Sequence, residues 1–423
     1  MLGSLGNAWK IPELRTRLLF TFAMLAAYRL GAYIPLPGVD PSVLGGGLQT
    51  SNPITGLFGT FTGGAFNNFS VFSLGIMPYI TAAIVMQLMT VAIPRLQELA
   101  KEGETGQQKI TQYTRYFTLA LAFLGAIGTV LFFRSAQAAG VLSGSSPVNI
   151  LLLVISMTTG AMLTMWIVEL INQHGLGNGV ALLLTVSILS QAPSAIRKLL
   201  EDGNVLNMVI LGLLAVLIVA AVVFVNEGQR RIPIDYAKRQ VGRSMSQGGT
   251  TYLPLKVNMA GDTPIIFALT LLLFPAVLAY LFAGGDQDSI LGRIAAFLSP
   301  GNTPYLILYA LLIFMFTYFY TALQFNPVEH ADNLKKSGGN VPGYRPGQPT
   351  AIYLNNVLTR ITFFGAFFLA AVAVVPYLII GIMNLPQWIF LGGTSMLIVV
   401  GFSLDTMRQL QSYLWRNYDR FLS

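Results

Sequence analysis

The sequence predicts an all-α protein that crosses a lipid bilayer many times. Of its 423 residues, 54% are hydrophobic and only 10% are charged, and the mean hydropathy is +0.64. Soluble domains carry about 25% charged residues, so water is not the solvent for most of this surface. In lipid the backbone must satisfy its own hydrogen bonds, which leaves helices and closed barrels. Long unbroken apolar runs, rather than short alternating strands, favour helices.

Ten apolar stretches are candidates for membrane-spanning helices, which need about 20 mostly apolar residues. They lie at about 17–36, 71–93, 115–134, 150–170, 179–192, 205–226, 263–283, 304–325, 361–381 and 386–408. The fifth stretch is the shortest. The first ends at Pro35-Leu36-Pro37-Gly38 without a cleavage site of small residues, so we interpret it as a retained span rather than a signal peptide.

Lysine and arginine predict the orientation, because cytoplasmic loops are enriched in them. With the N-terminus inside, 20 of these residues fall in the N-terminal arm, the even-to-odd loops and the tail. Four fall outside, namely Arg134, Arg197, Lys198 and Arg293, while Arg29 lies within the first span. This bias predicts a multi-pass protein with both termini in the cytoplasm.

Residues 54–70, on the outer side between the first two spans, do not fit a plain helical bundle. The segment reads ITGLFGTFTGGAFNNFS. It is too polar and too rich in glycine to span, and too rich in phenylalanine to be a solvated loop. Irregular backbone at membrane depth is tolerated only where protein shields it from lipid. We therefore predict a re-entrant segment.

Two hydrophilic loops, 227–262 and 326–360, each of about 35 residues, lie on the predicted cytoplasmic side. Both are basic and interrupted by glycine and proline. Long loops usually carry function, so two large basic loops on one face suggest docking sites for a large partner. The spans also divide into two sets of five, at 1–200 and 201–423. An odd number of spans per half gives the halves opposite orientations, as in many transport proteins.

Catalytic chemistry is poorly represented in the sequence. The chain has no cysteine and two histidines, His174 and His330, which lie far apart and outside any metal-binding spacing. The glycine-rich run at 175–179 fails the dinucleotide pattern, because Val180 occupies the sixth position and no strand precedes it. We expect no cofactor, no metal and no enzyme activity. A secondary transporter for a small solute remains an alternative, although it would be expected to carry a buried carboxylate near mid-span.

Bulky aliphatic residues recur near the middle of several spans. They are Ile76, Ile80, Val180, Leu184, Ile266 and Ile398. For any one of these residues, ordinary packing against lipid or core is the simpler interpretation. A hydrophobic constriction built from such residues can nevertheless gate a pore by excluding water.

Six long strings of residues carry a resemblance to a known family. They are LGIMPYI at 74–80, KITQYTRY at 109–116, YAKRQ at 236–240, LPLKVNMAG at 253–261, ADNLKKSG at 331–338 and GGTS at 392–395. In this order, and from end to end, the sequence resembles the SecY family of protein-conducting channels.

The resemblance implies a clamshell of two inverted five-helix halves around a central pore. By position, the six aliphatic residues named in the text above match the pore ring of the family. The match also makes residues 54–70 a short plug helix that seats on the external side of the ring. The plug residues singled out by the match are Gly56, Phe58, Gly59, Phe61, Gly63, Gly64, Phe66 and Asn67. Its glycines would give the plug the mobility to leave.

The resemblance further implies a lateral gate, through which apolar signal sequences exit into lipid, lined by Thr81, Gln87 and Phe274. The implied docking residues for the SecA ATPase or the ribosome are Arg239, Arg243, Lys335, Lys336 and Arg345. SecE and SecG are the implied membrane partners, the phospholipid bilayer of the bacterial inner membrane is the implied setting, and an unfolded translocating polypeptide is the implied cargo.

Overall fold

The computed structural model describes residues 11–39, 53–134, 146–201, 205–236, 239–241, 244–246, 250–283, 288–382 and 393–421. The helices within these ranges are α1 (Pro12–Gly31), α2 (Pro53–Phe61), α3 (Met77–Ala92), α4 (Pro94–Lys101), α5 (Glu104–Arg134), α6 (Pro147–His174), α7 (Gly179–Glu201), α8 (Val205–Glu227), α9 (Thr263–Phe282), α10 (Ile290–Phe297), α11 (Thr303–Gln324), α12 (Pro327–Ser337), α13 (Gln348–Ile382) and α14 (Gly393–Phe421). The strands are β1 (Gln229–Tyr236), β2 (Arg239–Val241), β3 (Ser244–Ser246), β4 (Thr250–Lys256) and β5 (Gly339–Asn340).

Each of the ten predicted spans falls on a helix, but not every one of these helices meets a strict requirement for length and hydropathy. Six do in the described part of the chain, namely α5, α6, α8, α9, α11 and α13. A seventh is counted if α3 and α4, which meet at 99°, form one span. The apolar part of α7 is short, and α1 carries Glu13, Arg15, Arg17 and Arg29. The predicted class, an α-helical polytopic membrane protein, is confirmed.

The second predicted span begins later than its hydropathy suggests. Residues 62–76 form turns, and α3 starts only at Met77 with Pro78 in its first turn. Proline suits this position because its missing N–H would have no partner inside the helix. Gly75 precedes the helix with a φ of 57°. Ile76 therefore caps α3 instead of lying inside it.

One continuous apolar core joins most of the helices. It draws buried residues from α1, α2, α3, α5, α6, α7, α8, α9, α10, α11, α13 and α14. Among the six helices that meet the length and hydropathy requirement, α9 is the most enclosed, with 72% of its most apolar 18 residues buried. It packs against α2, α3, α5 and α11. By contrast α8 is only 11% buried. Such an apolar surface is stable only where lipid replaces water.

The two long loops fold together into one unit, here called the β lobe: strands β1, β4 and β5, helix α12 and the first turns of α13. β1 pairs antiparallel with β4 from Gln229 opposite Lys256 to Asp235 opposite Thr250. β5, from the other loop, pairs with the end of β1. A separate apolar cluster fills the lobe: Ile232, Leu255, Phe325, Val341, Leu354, Val357 and Leu358. The expectation of two separate hydrophilic loops was therefore incomplete.

Candidate channel centre and plug

The plug segment, residues 54–70, is enclosed by protein, as predicted for a re-entrant segment. Helix α2 occupies its first half, and turns occupy the rest. Phe58, Phe61, Phe66 and Phe69 are each at most 2% exposed. The rings of Phe58 and Phe66 meet edge to face, with centroids 5.1 Å apart. Apolar burial therefore gives the segment its main packing energy.

Two of the predicted plug glycines occupy backbone conformations that other residues rarely adopt. Gly63 and Gly64 have φ values of 65° and 84°. A Cβ atom at Gly63 would lie 2.8 Å from Nη1 of Arg29 and 3.1 Å from the Cα atom of Ser187. A Cβ at Gly59 would lie 2.8 Å from the Asn67 amide nitrogen. Tight seating thus accounts for glycine at these positions, and their role in mobility stays a prediction.

Polar side chains from α1 and α7 hold the turn of the plug segment. Arg29 donates through Nη1 to the carbonyl oxygen of Gly63 at 2.9 Å and to the Ser190 hydroxyl at 3.0 Å. The Tyr28 hydroxyl lies 2.9 Å from Oγ of Ser187 and 3.4 Å from the Thr62 carbonyl oxygen. We call Tyr28, Arg29, Ser187 and Ser190 the plug seat.

Backbone hydrogen bonds hold the far end of the plug segment. The Leu36 N–H donates to the Phe69 carbonyl, and the Val71 N–H donates to the Ile34 carbonyl, both at 2.9 Å. Phe69 has a φ of 48°, unusual for a residue with a side chain. The segment is thus fixed at its turn by side chains and at its end by a short backbone ladder.

The six predicted ring residues all belong to the central core. Ile76, Ile80, Leu184 and Ile398 are at most 2% exposed, and Ile266 is buried as well. Val180 is half-buried and packs against the same cluster. They come from α3 and the residue before it, α7, α9 and α14. Because α2 packs on both α7 and α9, the plug segment lies against two helices that carry ring positions.

The predicted lateral-gate residues lie on α3 and α9, which pack against each other. The Thr81 hydroxyl bonds within its own helix, to the Met77 carbonyl at 3.0 Å. Gln87 accepts a 2.5 Å hydrogen bond from the Tyr320 hydroxyl of α11. Phe274 is 5% exposed. A cavity of about 330 Å³ beside Gln87 is lined by α3, α4, α5 and α11, so the α3–α11 contact is loosely filled.

The predicted docking residues are only partly placed. Lys335 and Lys336 are exposed in the last turn of α12, and Arg345 is exposed in the turn after β5. Arg239 begins β2, where it pairs with Ser246. Arg243 lies outside the described residues. Sequence reasoning did not single out Arg230 and Arg231, exposed on β1, because the alternation that follows them, Ile232-Pro233-Ile234, is too short to distinguish from a loop.

Other charged groups acquire partners that the sequence did not reveal. Glu169, buried on α6, accepts two hydrogen bonds from the Arg115 guanidinium, at 2.9 and 2.7 Å. The histidines contact aromatic rings: His330 stacks on Phe325 at 4.2 Å, and His174 lies 5.8 Å from Phe20. Among the described residues, no group of three or more His, Cys, Asp or Glu could hold a metal ion.

An α-helical bundle whose apolar centre is covered by a buried re-entrant segment defines a plugged membrane channel. Known proteins give the same result. The family model described as SecY matches residues 70–407. The protein translocase subunit SecY of Streptomyces galbus is 44% identical over 441 residues, which cover 100% of both chains. The chain belongs to the SecY family.

Two solved structures share the fold. One is a SecY protein whose plug domain is described as stabilising the closed state and maintaining a membrane seal. It matches with a TM-score of 0.63 and 17% identity, over 96% of each chain. The other is Sec61 in the canine ribosome–channel complex, with a TM-score of 0.60 and 16% identity, over 94% of this chain and 92% of that one. At these identities the two structures show the fold alone.

Proposed function

We propose that this chain forms the pore of a bacterial protein translocase. It conducts unfolded polypeptides across the inner membrane and releases apolar segments sideways into the bilayer. One observation carries the proposal within the fold: the plug segment lies buried in the central core, against α7 and α9, two of the helices that bear aliphatic ring positions. A channel for a large and variable cargo needs a closure that can be displaced, and a separate buried segment supplies one.

The ring acts as a soft gasket. Ile76, Ile80, Val180, Leu184, Ile266 and Ile398 present aliphatic side chains without hydrogen-bonding groups. Such side chains pack around a passing polypeptide without binding it specifically, and they exclude water and ions from the pore. At rest the plug segment covers this constriction from the external side. Thr81, Gln87 and Phe274 line the lateral gate between α3 and α9.

Replacing ring side chains with glycine should make the resting channel leak ions. We expect Ile80→Gly combined with Ile398→Gly to raise ion conductance in planar bilayers, because both side chains leave the constriction. The matched control is Val216→Gly combined with Leu217→Gly, exposed residues of α8, which carries the same helix penalty away from the pore. If the ion conductance of both the ring variant and the control equals that of the parent, the ring assignment is refuted.

A small-solute transporter receives less support. Alternating access would use a charged group near mid-span. The Glu169 carboxylate is instead committed to Arg115, and Asp405 is exposed beside Arg408. The relatives named as translocase subunits favour protein transport.

Contacts between helix ends support the orientation derived from charge. Arg17 at the start of α1 bonds to Gly175 after α6. Tyr320 near the end of α11 bonds to Gln87 near the end of α3. Each contact joins two ends that the charge count places in the cytoplasm. We propose that both termini are cytoplasmic, and that the chain divides at about residue 200 into two inverted halves.

The β lobe is the proposed landing surface. Its exposed cations suit an acidic or carbonyl-rich motor surface, or the phosphates of ribosomal RNA. One structural neighbour is described in a ribosome–channel complex. SecA and the ribosome are the proposed cytoplasmic partners, contacting Lys335, Lys336 and Arg345 of the loop 326–360, and Arg239 and Arg243 in the segment between β1 and β4. SecE and SecG are the proposed membrane subunits.

Reversing one charge on the lobe should weaken motor-driven transport. We expect Arg345→Glu to lower SecA-dependent translocation into reconstituted vesicles several-fold, because the side chain is exposed and its loss leaves the fold intact. Arg360→Glu, an exposed cation on α13, is the control. Equal transport by wild type and Arg345→Glu would count against this docking residue.

A further inference from the structure

Arg29 of the plug seat lies at the edge of the apolar core, where a charged side chain is unusual. Among the described residues, no carboxylate pairs with Arg29. Its guanidinium contacts the Gly63 carbonyl, the Ser190 hydroxyl, and the hydroxyl and ring of Tyr33. A cation at this depth is costly unless polar groups surround it, so each of these acceptors matters to Arg29.

The Gly63 carbonyl is the acceptor on the plug segment itself. It receives the Arg29 hydrogen bond at 2.9 Å and lies 3.5 Å from the Ser190 hydroxyl. Hydrogen bonds from an ionised donor are roughly twice as strong as neutral ones. When the plug segment leaves, Arg29 loses this acceptor, and the loss opposes opening.

Tyr28, the preceding residue on α1, provides a second and weaker hold. It is fully buried, and its hydroxyl lies within hydrogen-bonding reach of the Thr62 carbonyl, next to Gly63 along the plug. The same hydroxyl bonds to Ser187 on α7. Two neighbouring carbonyls of the plug are thus held by two neighbouring side chains of α1, which are braced in turn by two serines of α7.

We propose that Arg29 is the positioning residue that keeps the plug seated, by donating a charge-assisted hydrogen bond to the Gly63 carbonyl, with Tyr28 in support. This inference rests on the proposed function, because it assigns residues to the closed state of that channel. The left-handed turn at Gly63 and Gly64 belongs to the same device. It turns the Gly63 carbonyl toward α1, and glycine there leaves space for the guanidinium.

The chain contains no cysteine, so a single cysteine introduced into the plug segment is the only thiol of this chain that can react with a maleimide. Ala65 is fully buried beside the seat, and Ala65→Cys should react slowly with a membrane-impermeant maleimide in nanodiscs. Adding Arg29→Gln should raise the labelling rate about 10-fold, the effect expected for losing a hydrogen bond to a charged group. Adding Tyr28→Phe should raise it about 3-fold.

Three measurements separate the device from general damage. Arg29→Lys keeps the charge and should label at a rate nearer to the parent than Arg29→Gln does. Arg134→Gln removes an exposed cation at the end of α5 and should leave the rate unchanged. The apparent melting temperature of each variant shows whether the fold is retained.

The outcomes bear differently on the two proposals. Labelling rates within twofold of the parent for both Arg29→Gln and Tyr28→Phe, or an equal rise for Arg134→Gln, would overturn the inference. If the ring variants still leak in that case, the channel function stands without this device. If labelling rises as expected but the ring variants do not leak, the role of Arg29 in seating the plug is supported and the ring assignment is refuted.

Discussion

The plug segment and the β lobe are both insertions between spanning helices, yet opposite means hold them in place. The plug segment is rich in phenylalanine and glycine and is buried in the central core, and it is held at its turn by a few side-chain hydrogen bonds and at its end by two backbone hydrogen bonds. The β lobe has a regular antiparallel ladder, its own apolar cluster and a cationic outer face. We propose that the plug segment leaves as a unit by losing its apolar contacts and a few hydrogen bonds, whereas the β lobe can separate only by unfolding. This difference suits a movable closure and a fixed landing surface.

The difference between the two regions requires that the β lobe is a folded unit stabilised by its own apolar cluster. Ile232 is 1% exposed in the cluster of the lobe. We expect Ile232→Ala to destabilise the lobe by up to about 5 kcal/mol, because it leaves a cavity in a small core. Limited trypsin digestion at the basic residues of the lobe should then accelerate on the order of 100-fold.

Val328→Ala, an exposed aliphatic residue on α12 of the same lobe, is the control for this change and should digest at the parent rate. Bilayer conductance of Ile232→Ala should stay at the resting level, since the lobe does not seal the pore. A leak from this variant would show that lobe and plug are coupled, and would break the distinction between them.

Sequence reasoning succeeded where composition and physical role coincide. The membrane-spanning helical class follows from the apolar runs, and the buried plug segment follows from phenylalanine and glycine in a stretch too polar to span. The strands of the β lobe were missed because β1 buries only Ile232 and Ile234, too short an alternation to distinguish from a loop. The partners of Arg29 are 34 and 161 residues away along the chain, and no local pattern predicts such pairs. The ring positions came from family resemblance, since aliphatic residues inside a membrane protein usually only pack.

Asp262 lies between β4 of the lobe and the first residue of α9, four positions before Ile266 of the ring. Burial raises the pKa of its carboxyl to about 7, the Asp405 carboxylate adds to the rise, and the Arg408 guanidinium opposes it. Among the described residues, Oδ1 of Asp262 has no hydrogen-bond partner. Gly401 on α14 leaves the space that this carboxylate occupies.

The sign of the pH effect follows from the raised pKa. Between pH 3.8 and about 7 the folded protein holds a proton on Asp262 that the unfolded chain has lost. The contribution of Asp262 to stability is therefore largest at low pH and declines as the pH rises to about 7, by about 4 kcal/mol in total. We expect Asp262→Asn to abolish this decline and to raise the apparent melting temperature at pH 7. Asp332→Asn, exposed on α12, should keep the slope of the parent. A slope unchanged by Asp262→Asn would mean that this acid is ionised when folded.

The smallest expected effect tests whether the side of the pore opens independently of the plug. Tyr320 on α11 donates to Gln87 on α3 beside a partly empty cavity, and Tyr320→Phe removes that bond while keeping the ring. A net loss of about 1 kcal/mol should favour separation of α3 and α11 about fivefold, and so raise translocation of a substrate whose signal sequence is weakly apolar. Tyr318→Phe, exposed on the same helix, is the matched control. Because Tyr320 does not touch the plug seat, labelling of Ala65→Cys should stay slow in this variant. Faster labelling would show that the lateral contact and the plug segment open together, and would contradict the plug segment's independence of that contact.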